Sequence, residues 1–155
     1  MRKAIFVVSA ICVVALLGGL VVAATASTDL SSPRTITVIE KQTQSHFVDL
    51  GRRGPSLGDY FVFSGVLRHA GNRVGYDGGQ CTFVHTRPFR AECEATAKLG
   101  RGKITQQGLI SLTNGARTFI VAVNGGTGGF RNARGQATIQ DLSQTKSKIT
   151  FHLIP

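Results

Sequence analysis

Two carboxylates, a guanidinium and two phenols are the groups in this chain whose type and position suit them to chemistry. Glu40 ends the alternating run Thr35-Ile-Thr-Val-Ile-Glu-Lys41, Asp59 opens Gly58-Asp-Tyr-Phe-Val-Phe-Ser-Gly-Val-Leu-Arg68, and Arg134 sits in the Ala-Arg-Gly of 133–135. A carboxyl group walled in by apolar side chains resists ionisation, so its pKa climbs and it can exchange protons near neutral pH. Glu40 is the candidate for that role; the alternative is a solvated carboxylate at a strand end. Asp59 can polarise a ligand hydroxyl, or it can pair with an arginine near the mouth of a cavity. Arg131 and Arg134 face opposite ways in an extended strand, so at most one enters an interior, and Arg134 is the choice. Tyr60 and Tyr76 can donate a hydrogen bond from an apolar wall, or be core residues with a wet tip. Phe63, Phe83 and Phe130, with Phe61, supply either cavity lining or core.

Other chemistries lack their parts. No Ser–His–Asp set, metal-ligand spacing or cofactor fingerprint emerges, so no metal and no cofactor are expected. That pattern fits a binding or steering protein better than a hydrolase. His69 lies beside a turn and is expected at the surface. The stretch Val121-Ala-Val-Asn-Gly-Gly-Thr-Gly-Gly-Phe-Arg-Asn-Ala-Arg-Gly135 invites a phosphate-cradle reading, but that reading needs a helix to follow. Gly135-Gln-Ala-Thr-Ile-Gln-Asp-Leu142 looks extended instead. The stretch reads as a strand end, a tight turn with φ > 0, and another strand.

The ends and the composition set the frame that must position these groups. Met1-Arg-Lys3 followed by an uncharged apolar run to Ala24, closing in Ala24-Thr-Ala26, is a secretory signal over 1–26. The alternative is an uncleaved anchor, because the run approaches the roughly 20 residues a membrane helix needs. Residues 27–33 are a polar linker, and 34–155 have the size of one domain. The formal net charge is +10; of the 18 Lys and Arg only Arg2 and Lys3 fall in the leader. Such a surface favours anionic surroundings, including envelope polymers. No Lys/Arg block or aromatic ladder supports a specific nucleic-acid partner.

Once the leader is removed, Cys81 and Cys93 remain. In an exported chain an even pair reads as a disulfide, and a hairpin centred on Arg87 puts position 81 across from position 93. Such a bridge stabilises by roughly 2–3 kcal/mol. The alternative is a free thiol lining a cavity.

From Arg34 onward the strand vocabulary is continuous. Strands are expected over 35–41, 58–68, 74–85, 89–99, 103–112, 118–123, 133–142 and 147–153, with a long loop over 42–57. Gly75, Gly78 and Gly79 mark a bulge or a close backbone contact. The clearest segment is 89–99, where Ala91, Cys93, Ala95, Ala97 and Leu99 alternate with Arg90, Glu92, Glu94, Thr96 and Lys98. Eight strands joined mostly by short turns predict an all-β fold, an antiparallel up-and-down barrel preceded by the signal helix. A β-sandwich is the alternative.

Gly58-Asp59 opening a strand, Val74-Gly75 ahead of Gly79-x-Cys81, and Gly125-Gly-Thr-Gly-x-Phe-Arg-x-Ala-Arg-Gly135 resemble the allene oxide cyclase and dirigent-protein superfamily, over roughly 35–153. The resemblance implies an eight-stranded antiparallel barrel around a hydrophobic cavity. It also implies one of several activities: closing a fatty-acid epoxide, steering phenoxy-radical coupling, or cyclising polyketide-type intermediates. Glu40 falls where the cyclases place a cavity carboxylate, Gln42 replaces their asparagine, and Cys81 matches a cavity cysteine. Asp59 and Arg134 match the polar positions of dirigent proteins, and His69 stands where many relatives carry aspartate. The expected protein is secreted, binds an apolar small molecule and steers its cyclisation or coupling without a cofactor. The alternative is a non-catalytic exported barrel held at the envelope by its basic surface. Relatives of this kind associate as homodimers or homotrimers.

Overall fold

The structure, a computed structural model, describes residues 34–112 and 118–155. The expected leader, the linker and the Thr-Asn-Gly turn at 113–115 lie outside the described residues. Eight strands follow one another: β1 (Arg34–Val48), β2 (Tyr60–His69), β3 (Asn72–Thr86), β4 (Phe89–Leu99), β5 (Gly102–Ser111), β6 (Thr118–Gly128), β7 (Gly135–Ser143) and β8 (Lys146–Leu153). Each pairs antiparallel with the next, and β8 returns to β1, closing a barrel. Closure removes the edges that an open meander would expose.

Alternation decides what each strand turns inward. On β4, Ala91, Ala97 and Leu99 are buried, while the charged residues between them take the outer face. The small inner side chains let neighbouring backbones come close. On β3 the register with β4 runs unbroken from Gly75 to Phe83, but against β2 it shifts between Arg73 and Gly75, so Gly75 borders a bulge while Gly78 and Gly79 mark close approach. A Cβ at Gly79 would stand 2.3 Å from the Glu94 carbonyl oxygen.

Two stretches depart from the sequence expectation. Residues 42–48, expected in a loop, continue β1 and pair with β2 from Gln42↔Gly65 to Val48↔Tyr60, with a bulge between Gln42 and Gln44. The polar run Gln-Thr-Gln-Ser-His hides the strand because this part of β1 faces solvent outside and the open barrel mouth inside, so no apolar alternation marks it. The bulge also reverses parity, so Phe47, opposite Phe61, shares its face. The glycine run, expected as a turn, is instead the end of β6, and the chain turns over 129–134. Phe130 folds back so far that a Cβ at Gly126 would lie 2.2 Å from its carbonyl oxygen. β7 accordingly begins at Gly135 rather than at 133.

The barrel is filled at one end only. Val38, Leu67, Leu99, Ile104, Val123, Phe130, Phe151 and Leu153 belong to one buried cluster. It lies toward the end that carries both the 129–134 turn and the start of β1. Phe130 caps this end. The opposite end carries the 49–59 loop and the β3–β4 and β7–β8 turns.

Candidate functional site

Toward that opposite end the inward side chains stop meeting, and a cavity of about 300 Å³ remains, at the lower bound of ordinary ligand sites. Its walls are Phe61 and Phe63 of β2, Ile110 of β5, Phe119 of β6, Ile139 of β7 and the Cys81–Cys93 bridge. The cysteines sit opposite each other on β3 and β4, with Cα atoms 4.0 Å apart. A run of aromatic contacts rings one side of the mouth: Phe83 lies 5.9 Å from Phe47, 6.5 Å from Phe61 and 5.6 Å from Phe89, centroid to centroid.

Polar groups line the cavity where it meets the filled core. Glu40, Asp77, Gln106 and Asp141 all reach the cavity, with Ser147 beside them. Glu40 and Asp77 come from strands on either side of β2 and meet over Gly65, whose partners in the two registers are Gln42 and Asp77. A Cβ on Gly65 would stand 2.6 Å from Glu40 Oε1 and 2.8 Å from Asp77 Oδ1. The absent side chain is what lets the two carboxyls share one space. Ser147 Oγ donates a hydrogen bond of 3.1 Å to Asp141 Oδ1.

Burial and mutual charge raise both acids. Burial pushes the Glu40 carboxyl up to about 7, helped by the negative charges of Asp77 and then Asp141, and the Ser147 hydroxyl pulls it back. Burial lifts Asp77 to about 6, against the pull of the backbone N–H groups of Gly65 and of Asp77 itself. Both carboxyls are thus drawn toward neutrality, so the pair can keep a proton at pH values where free carboxylates have lost theirs. Such a pair supplies a general acid and a general base in one cavity. Lys146 is the one cation in the lining against Glu40, Asp77 and Asp141, so the charge within is mainly negative although the whole chain is strongly basic.

The other sequence-predicted residues take different places. Phe63 is in the cavity wall and Phe83 is in the aromatic rim. Phe130 is buried in the filled end. Tyr76 is 55% exposed, on the outer face of β3 because Asp77 takes the inner one; Tyr60 alternates outward from Phe61 in the same way. Asp59 is fully buried but organises the 49–59 loop rather than entering the cavity. Its Oδ1 accepts from the Leu50 N–H at 2.7 Å and its Oδ2 from the Ser56 N–H at 2.6 Å. These bonds, Leu50's first, hold its carboxyl below the usual range. Arg134 lies at the far end, where its guanidinium donates to the Pro155 carbonyl. His69, expected at the surface, is exposed there.

Asp77, Gln106 and Asp141 were not singled out by sequence reasoning. Parity marks them once the inward face is known: Asp77 shares it with Cys81, Gln106 with Ile104, and Asp141 with Ala137 and Ile139. Among the described residues no group of His, Cys, Asp and Glu is arranged to hold a metal ion.

The profile of the family described as "Allene oxide cyclase barrel like domain" matches residues 35–153. Among solved structures, a pyocyanin demethylase is 34% identical, with a TM-score of 0.70, over 77% of this chain and 99% of that one. A pterocarpan synthase dirigent protein is 13% identical, with a TM-score of 0.63, over 90% and 96%. A Diels–Alderase from Streptomyces koyangensis is 13% identical, with a TM-score of 0.60, over 82% and 75%. The last two similarities concern the fold. No curated protein matches the chain.

Proposed function

The chain belongs to the allene oxide cyclase barrel-like family, and from that premise we propose that its hollow half binds a planar, largely apolar small molecule and tautomerises it, one carboxyl of the Glu40–Asp77 pair taking a proton from the ligand as the other returns one. The observation that carries this reading is the pair itself. Two carboxyls meet over a glycine in an apolar cavity, both raised toward neutrality, where each can trade a proton with a ligand. The walls hold the ligand flat against Phe61 and Phe63 and keep bulk water away, and the polar groups do the acid–base work. A barrel with a purely structural role gains nothing from leaving half its interior unfilled with acids facing each other.

The similarity to a pyocyanin demethylase supports a tricyclic nitrogen heteroaromatic as the first substrate class to test. The wider reading, cyclisation or coupling of an apolar molecule held in the barrel, uses the same walls and the same proton transfers. In this proposal the protein is exported, which the Cys81–Cys93 bridge favours, and its basic exterior keeps it near anionic envelope polymers.

The test is to incubate the oxidised protein with pyocyanin and related phenazines in deuterated buffer, following binding by absorbance and turnover as deuterium uptake into the ligand by mass spectrometry. Binding and turnover in the native protein, with binding but no turnover in Glu40→Gln and Asp77→Asn, is the expected result. Failure of every planar heteroaromatic to bind the folded protein overturns the proposal.

A further inference from the structure

The outer wall carries a second concavity, apart from the hollow half. A groove of about 510 Å³ runs over β3, β4 and β5 and reaches Val62 on β2 and Asn124 on β6. Neighbouring strands lie about 4.8 Å apart, so it crosses roughly 20 Å of wall. Strand register lays it out in three rungs, each with one outward residue from β3, β4 and β5. Gly78, Thr96 and Thr105 form the middle rung. Gln80, Glu94 and Gln107 form the rung on the mouth side, and all three are exposed. Tyr76, Lys98 and Lys103 form the flanking rung toward the filled end.

The rungs differ in chemistry. Amides and threonine hydroxyls can both donate and accept hydrogen bonds. The amides are held in place, because Asn124 Nδ2 donates to Gln107 Oε1 at 3.3 Å and Gln107 Nε2 donates to Glu92 Oε1 at 3.1 Å. On the opposite bank Lys98 gives one proton to the Leu99 carbonyl at 2.6 Å and keeps two for a partner. Tyr76, directly across from Lys98, is 55% exposed. Among the lining residues only Val62 and Ala95 have purely apolar side chains, so the groove lacks the apolar centre of a protein interface. The phosphates of a nucleic acid would meet Glu94 in its middle. A chain of sugar rings suits every rung: its hydroxyls pair with amides, Glu94 and threonines, and a ring face lies against Tyr76. Anionic groups on the same chain meet Lys98 and Lys103.

We infer that this groove binds a segment of an acidic polysaccharide laid across the strands, its hydroxyl edge on Gln80, Gln107 and Asn124 and its carboxylates on Lys98 and Lys103. This rests on the reading that the exported protein is held at anionic envelope polymers, and it gives that attachment a site. The ligand of the hollow half plays no part in it.

Calorimetric titration of the oxidised protein with tetrasaccharides of galacturonate, mannuronate and hyaluronan tests the inference. Maltotetraose serves as the uncharged probe and linear polyphosphate as the anion without sugar rings. At least one acidic tetrasaccharide should bind, shifting the amide resonances of Gly78, Thr96 and Thr105 and leaving those of the 49–59 loop unchanged. Lys98→Gln with Lys103→Gln should weaken that binding about tenfold, as should Gln107→Ala with Asn124→Ala. Arg52→Gln with Arg53→Gln removes the same charge at the mouth and should stay within about twofold of the wild type. Melting temperatures show that all three variants are folded. Equal losses from the two charge-removing pairs, or polyphosphate binding as tightly as the best tetrasaccharide, overturns the site while a general attraction to anions stands. Maltotetraose binding equally well overturns the assignment of an acidic chain. Binding of no acidic tetrasaccharide and no polyphosphate removes the site and the envelope attachment together; polyphosphate alone removes only the site.

Discussion

The two halves of this barrel are built from the same eight strands and obey opposite rules. In the filled half, inward side chains such as Leu67, Ile104 and Phe151 are essentially without exposed surface and interlock. In the hollow half the same alternation delivers glycine at 65, carboxyls at 40, 77 and 141, and an amide at 106, and an empty space of about 300 Å³ remains. One half maximises contact. The other gives up packing and accepts buried charge, a combination that destabilises unless something binds there. Stability and function are thus segregated along the barrel axis, and each half can be perturbed without the other.

The largest separation should appear in turnover. Glu40→Gln or Asp77→Asn should lower kcat on the identified substrate by about 10²–10⁴-fold, with the melting temperature unchanged or higher; a large fall in stability would contradict the division between halves. Next come paired truncations of aromatic rings. Phe151→Ala should cost about 3–5 kcal/mol, because it opens a hole in a closed core. Phe63→Ala should cost less than half as much, because its ring already borders empty space. Denaturant titration of both variants compares the two directly, and equal costs would erase the distinction.

Removing the bridge with Cys81→Ser and Cys93→Ser together should cost roughly 2–3 kcal/mol, from the loop of sequence separation 12 that it closes. The loss should fall mainly on the β3–β4 wall of the hollow half, read as faster amide exchange there than in β8. A smaller effect concerns pH. Glu40 rises from 4.5 to about 7 and Asp77 from 3.8 to about 6, so the folded state holds protons that the unfolded chain releases. Their contribution is complete below about pH 4 and is lost as pH climbs through about 7. With solvent at the mouth damping the effect, about 1–3 kcal/mol of stability should disappear between pH 4 and 8. Glu40→Gln should flatten that slope, as thermal melts across the range will show. The smallest effect belongs to Tyr76→Phe on the outer wall, within about 0.5 kcal/mol in stability and without change in ligand affinity.

Much of the filled half was legible in the sequence. Period-two alternation in 89–99 and 147–153 sets their inward faces, and on the hollow side a hairpin centred on Arg87 places Cys81 opposite Cys93. The hollow half was legible only in part, because its inward positions are the ones where apolar alternation breaks. Glu40 stood out because a clean strand leads into it. Asp77 lies between Tyr76 and Gly78, and Gln106 beside another glutamine, so neither carries a local signal of facing inward; only the ladder of paired strands supplies one. The extension of β1 through Val48 was hidden for the same reason. Asp59 and Arg134, chosen for their neighbours in sequence, serve the 49–59 loop and the far end instead, because the side a polar group faces depends on where its strand begins.

The seam between β1 and β8 sets the order in which the molecule can be made. Every other ladder joins strands that are neighbours in the chain, whereas Arg34 must find Leu153 and Ile36 must find Phe151. Loop closure over that span is the slow, non-local step of the topology. Until it occurs, Val38, Ile149 and Phe151 have no common interior to enter, and two strand edges stand open. A chain emerging from a ribosome or a membrane pore can therefore zip its hairpins one by one yet cannot seal its core before the final strand is free. The last eight residues of the ladder are a latch, and a truncated or stalled product would remain an open, self-adhesive ribbon.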